Sequence, residues 1–274
     1  MPRARINGAE LFYDEWGNGE PLLFHHGYTG SHDGWAGVVE RLRDRYRCIV
    51  MDCRGAGDSE HTAGGYTIAQ YADDVIGMAD HLGLGRFTYI GHSMGGIIGM
   101  ELGMRYAGRL ERLVLVAPAP ADGVDVPPEM RERARRMWRE RDRETMIAER
   151  TALNPRPVPR EQIERNVERA LSVSEGHYEG SWEGLVHFRP GDAISAITTP
   201  TLVVAGAADT LLQANLKDFQ RLPNATLHVF SRVGHGIPYD IPDEFTAVLA
   251  DFLEHGPITA RVLMDRMQAA AGSR

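Results

Sequence analysis

Cysteine is scarce in this chain: only Cys48 and Cys53 occur in 274 residues. Two cysteines this close form no disulfide framework, and no Cys-x-x-Cys pair or Cys/His cluster points to zinc. The expectation is two free thiols and no metal. Long apolar runs are missing as well. None approaches the ~20 residues needed to span a bilayer. The opening residues, Met1 to Glu10, are interrupted by charge and carry no apolar signal core. The expectation is a soluble, cytoplasmic protein that makes no use of a membrane. Excess positive charge is absent too. The formal net charge is −8, against the concentrated basic surface that nucleic acid requires. The one arginine-rich stretch, 130–143, interleaves Glu132, Glu140 and Asp142 and reads as a solvated helix face. No repeat or low-complexity segment stands out.

What is present is ordinary globular material, 43% hydrophobic and 25% charged, enough for one large α/β domain. A hairpin opens the chain around Asn7-Gly8. Short apolar runs follow at 21–25, 48–51, 87–90, 113–116, 201–205 and 226–230. They alternate with helical patterns near 35–42, 68–82, 212–222 and 245–253. Near-continuous apolar strands separated by amphipathic helices predict a mostly parallel sheet of about eight strands, covered on both faces. The rhythm breaks between Pro118 and Pro190, where the chain is helical and charged. That division predicts a core from residues 1–118 and 191–256, and a helical cap insertion at 119–190. An extra helix at 257–274 either packs on the body or forms a monomer-to-homodimer contact.

Gly91-His92-Ser93-Met94-Gly95 sits between a strand and a helical pattern. A serine at the tip of a strand–turn–helix has an exposed hydroxyl, and flanking glycines let strand and helix approach closely. Serine needs a base, and the base needs an orienting acid. Asp209 directly follows the apolar run 201–205, and His235 follows 226–230, so both fall at strand ends. Asp122 is the rival position for the acid.

These landmarks, with His26-Gly27-Tyr28-Thr29-Gly30 and Asp52-Cys53-Arg54-Gly55-Ala56-Gly57-Asp58-Ser59, resemble the α/β-hydrolase superfamily, single-cap type. The resemblance runs from the first hairpin to Leu253. It implies Ser93, Asp209 and His235 as a catalytic triad, with the backbone N–H groups of Tyr28 and Met94 as oxyanion donors and no cofactor. Gly27 would let the main chain turn toward substrate. Asp52 and Arg54 would anchor loops, with Arg54 as a carboxylate ligand the alternative. His26 would fix the oxyanion loop, and His25 would be a satisfied core histidine or a pocket group. The cap aromatics Trp138, Trp182 and His187, together with His177, Tyr178 and Phe188, are candidates to line the substrate pocket; about half are expected to face it. The implied activity is hydrolysis of small carboxylic esters or lactones. A C–C hydrolase or a perhydrolase could use the same residues, and so could a ligand receptor that retains a slow triad. An aspartate at position 93 would mark epoxide hydrolases and dehalogenases, so Ser93 argues against both.

Overall fold

The computed structural model describes residues 2–272. Strands β1 (Arg3–Ile6) and β2 (Ala9–Trp16) form the opening hairpin. Its turn residues Asn7 and Gly8 both take positive φ, as a two-residue hairpin loop demands. Then come β3 (Pro21–His25), α1 (Ala36–Leu42), β4 (Arg47–Met51), α2 (Ile68–His81), β5 (Phe87–His92), α3 (Met94–Arg105) and β6 (Leu110–Val116). Thr67 caps α2, its side chain accepting from the Gln70 N–H.

Four helices interrupt the alternation: α4 (Pro128–Arg139), α5 (Arg143–Leu153), α6 (Arg160–Ser172) and α7 (Glu175–His187). The β/α pattern resumes with β7 (Thr201–Gly206), α8 (Leu212–Arg221), β8 (Ala225–Phe230), α9 (Ile237–Asp240) and α10 (Pro242–His255), and α11 (Ala260–Gly272) closes the described chain. The sheet has eight strands in the order β1-β2-β4-β3-β5-β6-β7-β8. Strand β2 runs antiparallel to β1 and β4, and every other pairing is parallel.

Successive side chains of a strand point to opposite faces, and the core divides accordingly. Leu23, Ile49, Tyr89, Leu113 and Val203 pack on one face with α2 and α3. Their strand neighbours Leu22, Val50, Ile90, Val114 and Leu202 pack on the other with α1 and α10. The interrupting helices have a small cluster of their own, Ile147, Ile163, Val167 and Leu171. Burial on both faces keeps the parallel strand ends rigid, which is where the candidate site lies. Helix α11 differs from one of its two expectations. Leu263, Met264 and Met267 are exposed rather than packed on the body. Among the described residues no helix is long and apolar enough to cross a membrane.

Candidate active site

Ser93 occupies the turn between β5 and α3 with φ 57° and ψ −110°. A non-glycine residue held there stores roughly 1–3 kcal/mol of backbone strain. Hydrogen bonds hold it in place. Its N–H donates to the Val116 carbonyl at 2.9 Å, and its carbonyl accepts from Gly96 and Ala119 N–H, both at 2.9 Å. Gly91 and Gly95 are required by space. A Cβ on Gly91 would fall 2.1 Å from the Gly95 carbonyl oxygen, and one on Gly95 would fall 2.5 Å from that of His25.

His235 lies in the loop after β8, and Asp209 in the loop after β7. His235 Nδ1 is 2.8 Å from Asp209 Oδ2, and its Nε2 is 2.9 Å from Ser93 Oγ. With Nδ1 donating to the carboxylate, Nε2 is left to accept the serine hydroxyl. The second Asp209 oxygen accepts from the Leu211 N–H at 3.0 Å. Burial pushes the Asp209 carboxyl up, but the His235 hydrogen bond and charge outweigh it and hold the group below its ordinary value. Asp122, the rival acid, pairs instead with Lys217 and Arg221, at 2.7 and 2.9 Å.

Met94 is the first residue of α3, so its N–H lacks an intrahelical acceptor. Neither the Tyr28 nor the Met94 amide donates to a protein group among the described residues. The loop carrying Tyr28 is anchored by His26, whose Nδ1 meets the Gly27 carbonyl at 2.8 Å while its Nε2 accepts from the Cys53 N–H at 3.1 Å. Further out, Asp52 accepts from the His32 N–H, His32 Nδ1 and the Asp58 N–H. His32, Asp52 and Asp58 have the spacing of a metal-binding trio, but these bonds already engage Asp52 as a loop anchor. Arg54 donates to both oxygens of the buried Asp74, at 2.8 and 2.7 Å, and does not line the cavity over Ser93. His25 is buried but only half satisfied. Nδ1 meets the His26 carbonyl at 3.0 Å, and Nε2 has no partner among the described residues. The thiols of Cys48 and Cys53 are free and buried, and desolvation pushes Cys48 up to about 12.

A cavity of about 230 Å³ opens over Ser93. Gly27, Tyr28, Trp35 and Tyr239 line it from the sheet side, together with His235. The wall contributed by the interrupting helices differs from expectation: it is Arg150, Asn166 and Arg169 from α5 and α6. Trp138, Trp182 and His187 do not line it, nor do His177, Tyr178 or Phe188. Trp138 stacks on Tyr178 with ring centres 4.3 Å apart and donates to the Ala170 carbonyl. Trp182 lies beneath the Arg131 guanidinium. The His187 side chain is 74% exposed, with Nδ1 on the Glu183 carbonyl. The aromatic residues of α4 and α7 pack those helices together, while α5 and α6 hang over the serine. The sequence carries one sign of this: Asn166 and Arg169, three apart, share a helix face.

An eight-stranded, mostly parallel sheet with Ser93 on a strained strand-to-helix turn defines an α/β protein of hydrolase type. Residues 20–242 match the family model of the alpha/beta hydrolase fold, and the chain belongs to that family. A non-heme haloperoxidase from Rhodococcus erythropolis is 29% identical over 268 residues, covering 90% of this chain and 97% of that protein. A 2-hydroxy-6-oxononadienedioate/2-hydroxy-6-oxononatrienedioate hydrolase from Dechloromonas aromatica is 26% identical, covering 90% and 91%. Among solved structures, a thermophilic esterase from Thermogutta terrifontis superposes with a TM-score of 0.80 at 29% identity, covering 93% of this chain and 98% of that one. An enol-lactonase from Burkholderia xenovorans LB400 gives a TM-score of 0.80 at 25% identity, covering 93% and 100%.

Proposed function

We propose that this protein hydrolyses small carboxylic esters or lactones through an acyl-enzyme on Ser93. The observation that carries the reading is the continuous hydrogen-bonded chain from Ser93 Oγ through His235 to Asp209. His235 Nε2 takes the serine proton as Oγ attacks the acyl carbon. The resulting oxyanion accepts from the Tyr28 and Met94 N–H groups, each such donor contributing about 3 kcal/mol to the barrier reduction. Collapse expels the alcohol, which leaves with the proton from His235. Water, deprotonated by the same imidazole, then attacks the acyl-enzyme. The acid is released and Ser93 Oγ regains its proton. Asp209 holds the imidazole in the tautomer this needs and stabilises the imidazolium.

Residues 119–190 act as a helical cap on a core of 2–118 and 191–256, with α11 (Ala260–Gly272) an appended helix; residues 1, 273 and 274 of the expected division lie outside the described residues. The cavity, at about 230 Å³, lies below the roughly 300–1,000 Å³ of sites for drug-sized ligands and favours short acyl groups. The test is a panel of 4-nitrophenyl esters of increasing acyl length together with simple lactones. Folded Ser93→Ala is expected to lose at least about 10³-fold in kcat, and a fluorophosphonate to label Ser93 of the native protein. A folded Ser93→Ala protein with undiminished turnover would overturn the proposal. C–C bond hydrolysis or perhydrolysis through the same three residues is a second reading. The likeness to the Dechloromonas hydrolase and the Rhodococcus haloperoxidase favours it. Turnover of β-diketone-type substrates with little ester hydrolysis would select the C–C reaction.

A further inference from the structure

The wall opposite Ser93 carries two arginines, of which only one has a carboxylate partner among the described residues. Arg150 of α5 and Arg169 of α6 both line the cavity. Arg169 forms an ion pair with Asp33 and donates to Asn166 Oδ1, yet its Nε is buried without a partner among the described residues. Arg150 has less. Its Nη1 donates to the Asn166 carbonyl at 3.1 Å, and among the described residues it forms no ion pair. This sets it apart from the other cap arginines of α4–α6 that engage carboxylates, such as Arg131 and Arg135 with Glu179 and Arg143 with Glu168.

Other acids near the cavity are already engaged. Asp209 is bonded to His235, and Asp33 to Arg169. Asp240, in the adjoining depression, accepts from Gln162 and forms no ion pair with Arg150. Two guanidinium groups therefore line the cavity, and among the described residues only that of Arg169 has a carboxylate partner, which leaves Arg150 unpaired in a partly desolvated wall. A guanidinium removed from water without a counter-charge is costly, and a planar carboxylate matches its fork of donors. Burial lowers the Arg150 pKa, but a guanidinium keeps its charge throughout the working pH range.

We propose that the substrate carries a free carboxylate, held by Arg150 with help from Arg169 while Ser93 attacks the acyl carbon at the other end. The class is a hemiester of a short dicarboxylic acid, or a small lactone bearing a carboxylate. The assignment rests on the acyl-enzyme reading above and adds to it the chemistry that selects the substrate. It also gives a role to Arg150 that fold maintenance does not require, since its one side-chain hydrogen bond among the described residues could be made by a neutral side chain.

The test compares mono-4-nitrophenyl adipate with the same ester capped as the primary amide, each corrected for its uncatalysed rate. The native protein is expected to favour the anionic ester by about tenfold or more in kcat/KM, a preference that weakens as salt is raised. R150Q is expected to cut the anionic-to-neutral ratio by about tenfold, mainly through KM, and R150K to keep part of it. Calorimetric binding of adipate to folded S93A, lost in the S93A/R150Q double variant, measures the site without turnover. An equal preference in the native protein, or a ratio unchanged in R150Q, would overturn the proposal. The two readings fail separately. Ester turnover that survives S93A removes the acyl-enzyme mechanism and leaves adipate binding to judge the carboxylate site. Ester turnover lost in S93A, with no adipate binding, removes the carboxylate site alone.

Discussion

His92 Nε2 donates to the main-chain carbonyl of His235 at 2.8 Å, so the residue before Ser93 holds the backbone of its hydrogen-bond partner. Burial, aided by the neighbouring His235, lowers the His92 pKa to about 3. It is therefore neutral at working pH and serves as a fixed donor. The strained serine turn and the loop after β8 are joined by this bond as well as by the Ser93–His235 contact itself.

Replacing His92 by phenylalanine leaves the His235 carbonyl without its donor. We expect a loss of about 1–3 kcal/mol in stability. The accompanying shift of the imidazole should cost about tenfold or more in kcat with a smaller change in KM. His92→Gln, which can still donate, should recover part of kcat. Steady-state kinetics and denaturant unfolding of the two variants check this. A phenylalanine variant with native kcat would show that the bond positions nothing.

Asp209 and Asp122 are distinguished by substitution. Asp209→Asn keeps the shape but favours the wrong imidazole tautomer, and kcat should fall by about 10³–10⁴-fold. Asp122→Asn loses an exposed pair with Lys217 and a partly exposed one with Arg221, which keeps its pairs with Asp192 and Asp218, so it should change stability by about 1 kcal/mol or less and leave kcat near native. Reversed effects in an ester-hydrolysis assay would move the acid to Asp122.

The Arg54–Asp74 pair is buried at both ends. Arg54→Met removes one partner and leaves a buried charge, for an expected loss of about 3–5 kcal/mol measured by urea unfolding. KM of the fraction that remains folded should not change, because Arg54 does not line the serine cavity. A raised KM without loss of stability would restore the carboxylate-binding alternative for Arg54.

Asp240 predicts a pH dependence of stability. Burial raises its folded-state pKa to about 6, with the Gln162 hydrogen bond and the His235 charge acting in the other direction. Between its unfolded value near 4 and about 6 the native state binds the proton more tightly, so stability attributable to this group falls as pH rises through that window. Asp240→Asn keeps an oxygen for Gln162 and abolishes the charge. It should be more stable than native by up to about 2 kcal/mol at pH 7.5 and no more stable at pH 4. His25, His92 and His177, each lowered to about 3 by burial, make both proteins less stable as pH falls, and this cancels in the difference. Equal stability differences at the two pH values would contradict the assignment.

The strands, the hairpin and the serine turn were legible in the sequence because each is specified over a few neighbouring residues. Asn7-Gly8 codes its own turn, and Gly91 and Gly95 bracket Ser93 at the two points where a Cβ would strike main chain. Alternate strand residues divide between the two faces of the sheet, as a period of two requires. The packing of the α4–α7 block was not legible in the same way. The period of its helices groups Trp138 or Trp182 with neighbours on a helix face, but gives no direction in space for that face.

By itself, then, the sequence determined the α/β alternation, the interruption between β6 and β7, and a serine, an acid and a histidine at strand ends. Tertiary structure decided which aspartate meets His235. Asp209 and Asp122 both follow strands, and only the packing of the loops after β7 and β8 places Asp209 within 2.8 Å of the imidazole. It also decided that arginines rather than aromatic rings face Ser93. The large rings gain most from burial against one another between α4 and α7. The helices left over the cavity, α5 and α6, present Arg150, Asn166 and Arg169 to it. Local chemistry is written residue by residue, whereas the docking of one helix on another is set by the sum of many side-chain contacts far apart in the chain.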